Sequence, residues 1–253
     1  MRCYFKKPVI FAKNKTRTDM KYMGSKNRIA KHILPIMLEH KTDDMVWVEP
    51  FVGGANMIDK VNGKRIGADL NKYLIAMWKK LQKGWDLPTD ISKDIRDDCR
   101  INKDNYKDFE VGWIGIGCCY NGIFFGGYAG EIVTKTGVKR NYIEEAKRNV
   151  TKQLPNLIEV DFVNCSYENL EIPNNSLIYC DPPYENTAKY KVGDFNHVDF
   201  WQWCREKAKE GHQVFVSEYN APIDFKCIWS KEVTTTLNTS KKDTEKLFTY
   251  IQP

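Results

Sequence analysis

The most informative segment of the chain is Leu177-Ile178-Tyr179-Cys180-Asp181-Pro182-Pro183-Tyr184. Its first four residues are uncharged and of strand-forming types, so they predict a buried strand. Proline has no N–H to donate to a neighbouring strand, and the strand is therefore expected to stop at Asp181. In open α/β sheets ligands bind at the carboxyl ends of the strands. We therefore expect a carboxylate, two rigid residues and an aromatic ring at a binding edge.

These side chains suit a substrate that carries a planar amino group. The Asp181 carboxylate can accept one hydrogen bond from an exocyclic amine, and a carbonyl of the Pro182-Pro183 segment can accept a second. The Tyr184 ring offers a flat face on which a base taken out of its duplex can stack. The structural alternative is a strand followed by a proline-rich turn, with Tyr184 serving only as packing.

Two further strands are predicted to end in an acidic residue. Met45–Val48 leads into Glu49-Pro50 and the turn Phe51-Val52-Gly53-Gly54, whose glycines allow close approach of a ligand to the backbone. Arg65–Asp69 is the second strand, and an acid at such a tip commonly binds ribose hydroxyls. Asp69 could equally serve as the N-cap of the next helix. No dinucleotide fingerprint and no phosphate-binding Gly-Lys-Ser/Thr motif is present, which disfavours nicotinamide enzymes and NTPases.

The segment Lys21–Lys26 precedes a predicted helix with Ile29, Ile33, Ile36 and Met37 on one face, interrupted by Pro35. Ser25 is the expected N-cap. The N–H groups at the helix start and the Lys26 ammonium together would form a site for a carboxylate. The alternative is an ordinary capped surface helix with a solvated lysine.

The remaining patterns complete an α/β chain. The predicted helices are Leu70–Leu81 closed by Gly84, Asn141–Pro155, and Asn196–Gly211. The other predicted strands are Leu157–Phe162, Gln213–Ser217, Lys226–Trp229 and Leu247–Ile251.

Three motifs in this order resemble the Dam-type adenine-specific (N6) DNA methyltransferase family: Lys21–Lys26, Glu49–Gly54 and Asp181–Tyr184. The resemblance implies a Rossmann-like doubly wound methyltransferase sheet with an inserted, mostly helical target-recognition region. It implies a core of residues 20–84 and 150–253, an insertion of residues 85–149, and an N-terminal extension of residues 1–19. Residues 1–19 are basic and polar without clear periodicity, and Met20 directly precedes the first motif. They are expected to be a dispensable extension, or Met20 itself is the start of the protein, and in either case deleting them should leave activity intact.

The resemblance also implies roles for individual residues, and S-adenosyl-L-methionine as the cofactor. The catalytic residues would be Asp181, Pro182, Pro183 and Tyr184. The cofactor would be bound by Tyr22, Lys26, Glu49, Phe51, Gly53, Gly54, Asp69, Asp161, Phe162 and Asp181. Aromatic residues beside cations suit a surface that grips phosphates and probes bases, and Tyr120, Asn121, Phe125, Tyr128, Lys139 and Arg140 are the candidates for DNA binding. Each of these four uncharged residues could instead be packing.

The implied reaction is methyl transfer to N6 of a flipped-out adenine in double-stranded DNA. The Ser217-Glu218-Tyr219 segment would line the base pocket, and the loop Glu185–Asp194 could close over it. A cytosine-N4 or RNA amino methyltransferase remains an alternative, because these substrates present the same planar amine. A DNA-binding module without catalysis is a second alternative. A cognate restriction endonuclease, or none, is left open.

The bulk properties agree with a globular protein that meets a polyanion. The net charge is +6, and 42% of residues are hydrophobic. Eight scattered cysteines contain no Cys-x-x-Cys pair, and the histidines form no ligand pattern, so we expect reduced thiols and no metal site. Residues 111–130 are uncharged but rich in glycine, which argues against a membrane span. We expect a soluble protein of a prokaryotic or phage-infected cytoplasm.

Overall fold

The computed structural model describes residues 19–39, 41–185, 195–234 and 242–251. Most of the predicted extension 1–19, of the loop 185–194 and of the loop 234–243 lies outside these residues. The helices are α1 (Asn27–Leu38), α2 (Lys72–Gln82), α3 (Lys93–Ile101), α4 (Asp108–Gly117), α5 (Tyr142–Gln153) and α6 (His197–Lys209). The strands are β1 (Val46–Glu49), β2 (Arg65–Asp69), β3 (Glu131–Val133), β4 (Lys139–Asn141), β5 (Val160–Asn164), β6 (Ser176–Cys180), β7 (Gln213–Glu218), β8 (Phe225–Thr234) and β9 (Lys242–Tyr250).

Seven of the strands form one sheet in the order β5-β2-β1-β6-β7-β9-β8. The first five are mutually parallel, whereas β9 runs antiparallel to both β7 and β8. The chain builds outward from β1 through β2 to β5, then returns to β6 beside β1 and builds the other way. This reversal between β1 and β6 is the topological switch point of a doubly wound sheet. The predicted Rossmann-like α/β fold is therefore confirmed.

Helices cover both faces of the sheet. Side chains alternate along each strand, so Trp47, Leu177 and Tyr179 enter the core shared with α1, α2, α4 and α5. Their neighbours Val48 and Ile178 enter a second core, which α6 covers with its aromatic residues. The central strands β1 and β6 are buried along their whole length, as expected for parallel strands covered on both faces.

The starts of α1 and α2 differ from the sequence prediction. Lys26, not Ser25, is the N-cap of α1, although the Ser25 hydroxyl accepts a hydrogen bond from the Asn27 N–H at 3.3 Å. Asn71 caps α2, and its side-chain oxygen accepts from two N–H groups of the first turn. Leu70 consequently precedes the helix and is exposed, because the turn between β2 and α2 points it away from the core.

The strand β5 begins three residues later than predicted. Residues Leu154–Leu157 form a 3-10 turn after α5, with Pro155 near its start, and this turn delays the strand to Val160. The strand then continues to Asn164, beyond the predicted end at Phe162. Strands β8 and β9 are likewise longer than predicted, since they pair with each other from Phe225–Tyr250 out to Thr234–Lys242.

Residues 85–149 contain α3, α4 and the hairpin β3–β4. Helix α4 packs directly on α2, where a side chain on Gly112 would collide with the Tyr73 carbonyl. Val111 and Trp113 lie in the same core as α1 and α2. The segment therefore shares a core with the sheet, and the domain boundaries at 84 and 150 remain predictions. No helix within the described residues is long and apolar enough to cross a membrane.

Candidate active site

Acidic residues lie at the ends of four adjacent parallel strands. Across the sheet they are Asp69 at the end of β2, Glu49 at the end of β1, Asp181 directly after β6 and Glu218 at the end of β7. These positions meet at one edge because the strands are parallel and in register. Among the described residues no cluster of three or more His, Cys, Asp or Glu side chains could hold a metal ion. The four acidic residues make this edge rich in carboxyl groups, which can accept hydrogen bonds or lie beside a cation.

Lys26 supplies the cation closest to the predicted catalytic residues. Its ammonium lies 2.8 Å from Asp181 Oδ1 and donates to the Gly24 carbonyl at 2.9 Å. The same nitrogen lies 4.6 Å from the centre of the Tyr184 ring. Burial raises the pKa of Asp181 to about 6, although Lys26 acts in the opposite direction. Asp181 is thus ionised at neutral pH and available as an acceptor.

Two neighbouring side chains, Glu245 and Tyr219, hold the Tyr184 ring in place. Its hydroxyl donates to Glu245 Oε2 at 2.8 Å, and its ring meets Tyr219 edge-to-face with centroids 4.7 Å apart. Glu245 was not among the residues predicted from sequence. The structure therefore places Asp181, Tyr184 and Lys26 together, with Glu245 and Tyr219 supporting the ring.

Glu218 fixes the backbone on both sides of this group. Its carboxylate accepts the Tyr219 N–H at 2.7 Å and the Glu185 N–H at 3.1 Å. Burial raises the pKa of Glu218 to about 7, and the nearby Asp181 charge adds to the rise. The carboxylate thus ties the start of the segment after Tyr184 to the end of β7.

The glycine turn after β1 is fastened to β2 through Asp69. One Asp69 oxygen accepts the Gly53 N–H at 3.0 Å, and the other accepts the Asn71 N–H at 2.9 Å. Burial raises the pKa of Asp69, and these two backbone hydrogen bonds limit the rise. Each carboxylate oxygen can accept more than one hydrogen bond, so capacity remains for a ligand hydroxyl.

Glu49 is buried at the end of β1, where it accepts the Trp47 indole N–H at 2.8 Å. Burial holds its pKa well above the usual range, and the charges of Asp59 and Asp181 act in the same direction. A buried carboxyl group with a raised pKa can pair with a cationic ligand, because a nearby positive charge would favour its ionised form.

Tyr22 packs across the glycine turn. A Cβ atom added at Gly53 would lie 2.6 Å from Tyr22 Cε1, and one at Gly54 would lie 2.6 Å from Tyr22 Cβ. Gly53 also adopts a φ of 47°, which favours glycine. Both glycines are therefore required here by the close approach of an aromatic ring.

Two buried amides, Gln153 and Asn56, hold this turn in place and were missed by the sequence analysis. Gln153 Oε1 accepts the Met20 N–H at 3.0 Å, while its Nε2 donates to the Gly54 and Ala55 carbonyls at 3.1 and 3.0 Å. Asn56 donates to the Met20 carbonyl at 3.1 Å. No local pattern marks such residues, because their partners are distant in the chain.

Three residues predicted for the cofactor do not lie at the edge as expected. Phe51 packs in the aromatic cluster of the α6 face. Phe162 is buried against the Trp78 ring, and Asp161 is exposed in the first half of β5. The strand end predicted at Phe162 is wrong, because β5 extends to Asn164, which lies at the edge and donates to the Asp69 carbonyl at 2.9 Å. The cofactor-binding roles of Phe51, Asp161 and Phe162 remain predictions.

The predicted DNA-binding residues fall into two groups. Tyr120, Asn121, Lys139 and Arg140 are exposed. Phe125 and Tyr128 are partly buried, which favours packing. Tyr128 donates its hydroxyl to the Ile91 carbonyl at 2.7 Å, and Phe125 packs edge-to-face on Phe124.

The exposed group lies beside the segment that carries Tyr22. A hollow there is lined by Lys21, Tyr120, Asn121 and Tyr142, among other residues. Arg140 and Lys21 both approach the Tyr142 ring, at 4.8 and 5.3 Å from its centre. Aromatic and cationic groups are thus combined on one surface, and the DNA-binding role of these residues remains a prediction.

Comparison with known proteins gives this site a family context. Residues 22–110 match the model of the D12 class N6 adenine-specific DNA methyltransferase family, which confirms the resemblance over that range. The matched range includes Tyr22, Lys26, the glycine turn and Asp69, and it ends before Asp181. Comparison with curated protein sequences returned no significant match.

Among solved structures, SMU.472, a proposed methyltransferase in complex with SAH, aligns with 92% of this chain at 13% identity and a TM-score of 0.36. The alignment spans 55% of that protein's chain, so the present chain corresponds to about half its length. HI0767 from Haemophilus influenzae, a proposed methylase, aligns over 89% of both chains at 11% identity and a TM-score of 0.34. These similarities are too low to add to the fold assignment, which rests on the sheet order.

Proposed function

We propose that this chain transfers a methyl group from S-adenosyl-L-methionine to the N6 amine of an adenine in DNA. The observation that carries the proposal is the position of the Lys26 ammonium. A nitrogen donor there lies 2.8 Å from the Asp181 carboxylate and 4.6 Å from the centre of the Tyr184 ring. A carboxylate acceptor and an aromatic face around one nitrogen are what an exocyclic base amine would need. The family match over residues 22–110 supports the same chemistry.

The residues at the strand ends suit S-adenosyl-L-methionine. Glu49 and Asp69 offer carboxyl oxygens to its cationic and hydroxyl groups, and Gly53 and Gly54 keep the backbone beside them free of side chains. Lys26, at the start of α1, can bind a carboxylate. When bound, the cofactor supplies an electrophilic methyl group on a sulfonium. These residues would hold it beside Asp181.

The proposed role of Asp181 is to orient the amine and to stabilise its developing charge. Its carboxylate accepts one N–H, and a carbonyl of Pro182 or Pro183 accepts the other, so that the nitrogen lone pair points at the methyl carbon. The bound cofactor would supply the methyl group to the amine nitrogen, sulfur would keep the electron pair of the broken methyl–sulfur bond, and the amine, cationic once methylated, would then lose a proton. The Asp181 carboxylate provides negative charge beside that amine while it is cationic.

We further propose that the surface formed by Tyr120, Asn121, Lys139 and Arg140 meets double-stranded DNA. Arg140 forms two 2.8 Å hydrogen bonds to Glu145, so Lys139 is the better candidate for a phosphate contact. Substituting Lys139 with Gln should reduce the slope of log affinity against log salt by about 0.9. An unchanged slope in fluorescence anisotropy titrations would place the DNA elsewhere. The cell compartment and any partner endonuclease remain predictions.

The direct test is to identify the methylated nucleoside. Purified protein, labelled S-adenosyl-L-methionine and unmethylated DNA are incubated, and the DNA is digested to nucleosides. We expect label in N6-methyladenine, its loss with Asp181→Ala, and its retention with Asp224→Ala, which breaks the ion pair to Arg205 away from the strand ends. Label in N4-methylcytosine would show that the methylated base is cytosine and not adenine. In a parallel incubation with RNA, label found in RNA alone would show that the substrate is a different polymer. No transfer to either polymer would refute methyl transfer by this chain.

A further inference from the structure

Aromatic side chains are hydrogen-bonded to oxygen-bearing side chains along one face of the sheet near its binding edge. Three such pairs are each separated by 2.8 Å: Trp47 with Glu49, Tyr179 with Ser217, and Tyr184 with Glu245. The first two pairs join residues within or between parallel strands. The third pair is different, because it connects the segment after β6 to the antiparallel strand β9.

The direction of β9 explains why Glu245 reaches this edge. An antiparallel strand begins where its parallel neighbours end, and β9 pairs Lys246 with Glu218 at the end of β7. Glu245 and Leu247 share a face of the strand, and Leu247 is fully buried in the core on the α1 side. Glu245 therefore projects to the face where Tyr184 lies, and its own side chain is partly buried.

The hydrogen bond to Glu245 and the edge contact with Tyr219 fix the Tyr184 ring in different ways. The contact with Tyr219 is nearly perpendicular, at 85° with centroids 4.7 Å apart, and constrains the body of the ring. The hydroxyl bond to Glu245 constrains the tip, which swings furthest when the side chain rotates. A ring held at both points loses little further freedom when a flat ligand stacks on it, so affinity for that ligand is higher.

We propose that Glu245 is a positioning residue for methyl transfer, because it accepts the Tyr184 hydroxyl and fixes the plane against which the methyl-accepting base stacks. This inference rests on the proposed function. Glu245 does not contact the reacting atoms in this arrangement, and it acts through Tyr184.

Glu245 has a second, electrostatic effect at the same site. Its charge raises the pKa of Asp181, whereas Lys26 lowers it. The other titratable groups that face Asp181 are Glu49 from β1, Tyr179 from β6, Tyr184 from the segment after it, and Glu218 from β7. Removing the Glu245 charge should therefore shift the ionisation of Asp181, and any rate that depends on it, to lower pH.

The two effects can be separated with three variants. Glu245→Ala removes both the acceptor and the charge, Glu245→Gln keeps an acceptor without the charge, and Tyr184→Phe removes the hydroxyl while retaining the ring. The matched control is Glu232→Ala, an exposed acid on the adjacent strand β8. Methyl-transfer kinetics and the fluorescence of 2-aminopurine placed at the target position are measured for each, with thermal unfolding as a check on folding.

We expect Glu245→Ala to lower kcat/KM for DNA about fivefold to tenfold and to weaken the fluorescence change that reports base extrusion. Tyr184→Phe should weaken the fluorescence change similarly. At a pH well above the acidic limb, where Asp181 is ionised in every variant, the double variant should be no worse than either single one, because both remove the same bond. Glu245→Gln should retain most of the fluorescence change while the acidic limb of its pH profile moves to lower pH. Glu232→Ala should match the wild type.

The outcomes distinguish this inference from the function on which it rests. Wild-type protein that transfers no methyl group would refute the proposed function and the role of Glu245 with it. An active wild type, with unchanged kinetics in folded Glu245→Ala, would refute the role of Glu245 alone. Additive losses in the double variant, or a Glu245→Gln variant as impaired as Glu245→Ala with an unshifted pH profile, would also overturn it.

Discussion

Replacing Gln153 with Leu should weaken both the fold and the binding of the cofactor. Gln153 is 2% exposed, and its amide satisfies the Met20 N–H and the Gly54 and Ala55 carbonyls. Leucine has a similar volume but no polar group, so the Met20 N–H and the Gly54 carbonyl would lose the Gln153 amide as their partner, and the Ala55 carbonyl would retain the Asp59 N–H at 3.4 Å. Each such group costs roughly 1–3 kcal/mol, and a loss of about 3 kcal/mol in the free energy of unfolding is expected.

The effect on the cofactor follows from the position of the turn. Gly54 and Ala55 belong to the turn proposed to face S-adenosyl-L-methionine, and Ala55 is held at a φ of 54° that is unfavourable for alanine. Without Gln153 the turn can adopt other backbone conformations, so we expect the cofactor to bind about tenfold more weakly, equivalent to about 1.4 kcal/mol. Urea unfolding and calorimetric titration with S-adenosylhomocysteine measure the two quantities separately.

Gln82 provides a matched control. Its amide donates to the Leu157 and Val160 carbonyls, both at 2.7 Å, and it does not contact the glycine turn. Gln82→Leu should therefore reduce stability and leave cofactor affinity unchanged. The reasoning would be refuted if Gln153→Leu bound the cofactor as well as the wild type, or if both variants weakened binding equally.

Further predictions concern the charges and the glycines of the site. The acceptor form of Asp181 is lost as pH falls through its pKa of about 6, so kcat/KM should fall roughly tenfold per unit below that value, and a flat profile would contradict this. Lys26→Met removes the charge that lowers this pKa, so the acidic limb should move to higher pH, and an unmoved midpoint in the same assay would argue against the pairing. Gly54→Ala should lower the melting temperature and weaken cofactor binding, because its Cβ would lie 2.6 Å from Tyr22 Cβ. Gly127→Ala should do neither, because the nearest neighbouring atom would lie 3.4 Å from its Cβ. Equal effects of the two substitutions in thermal melts and cofactor titrations would contradict the close packing at Gly54.

Features set by neighbouring residues were predicted well from the sequence. The strand before Asp181 stops where Pro182 removes the donor, and the strand before Pro50 ends in the same way. Gly84 and Gly211 follow helices and adopt positive φ, as closing glycines do. These outcomes depend on one or two residues of local geometry, so a sequence pattern contains enough information to specify them.

Features that depend on distant partners were not predicted. The ion pair of Lys26 with Asp181 joins positions far apart in the chain. The sequence around Lys26 is equally compatible with a lysine that lies in solvent. Glu245 and Gln153 occur in ordinary amphipathic patterns, and their partners appear only once the sheet is assembled. The strand that contains Asp161 begins three residues later and ends two residues later than predicted, because a 3-10 turn before β5 shifted the strand without changing its hydrophobic pattern.

The segment from Met20 to Met23 has a consequence for engineering. On one side it is bonded to the glycine turn through Gln153, and on the other the Met23 N–H donates to the Gly122 carbonyl at 3.3 Å. Gly122, at a φ of 65°, leaves no room for a side chain against the Lys21 carbonyl. Residues 85–149 therefore cannot be exchanged at their two ends alone, and a chimera that replaces them must take residues 20–23 and the partner glycine Gly122 from the same parent.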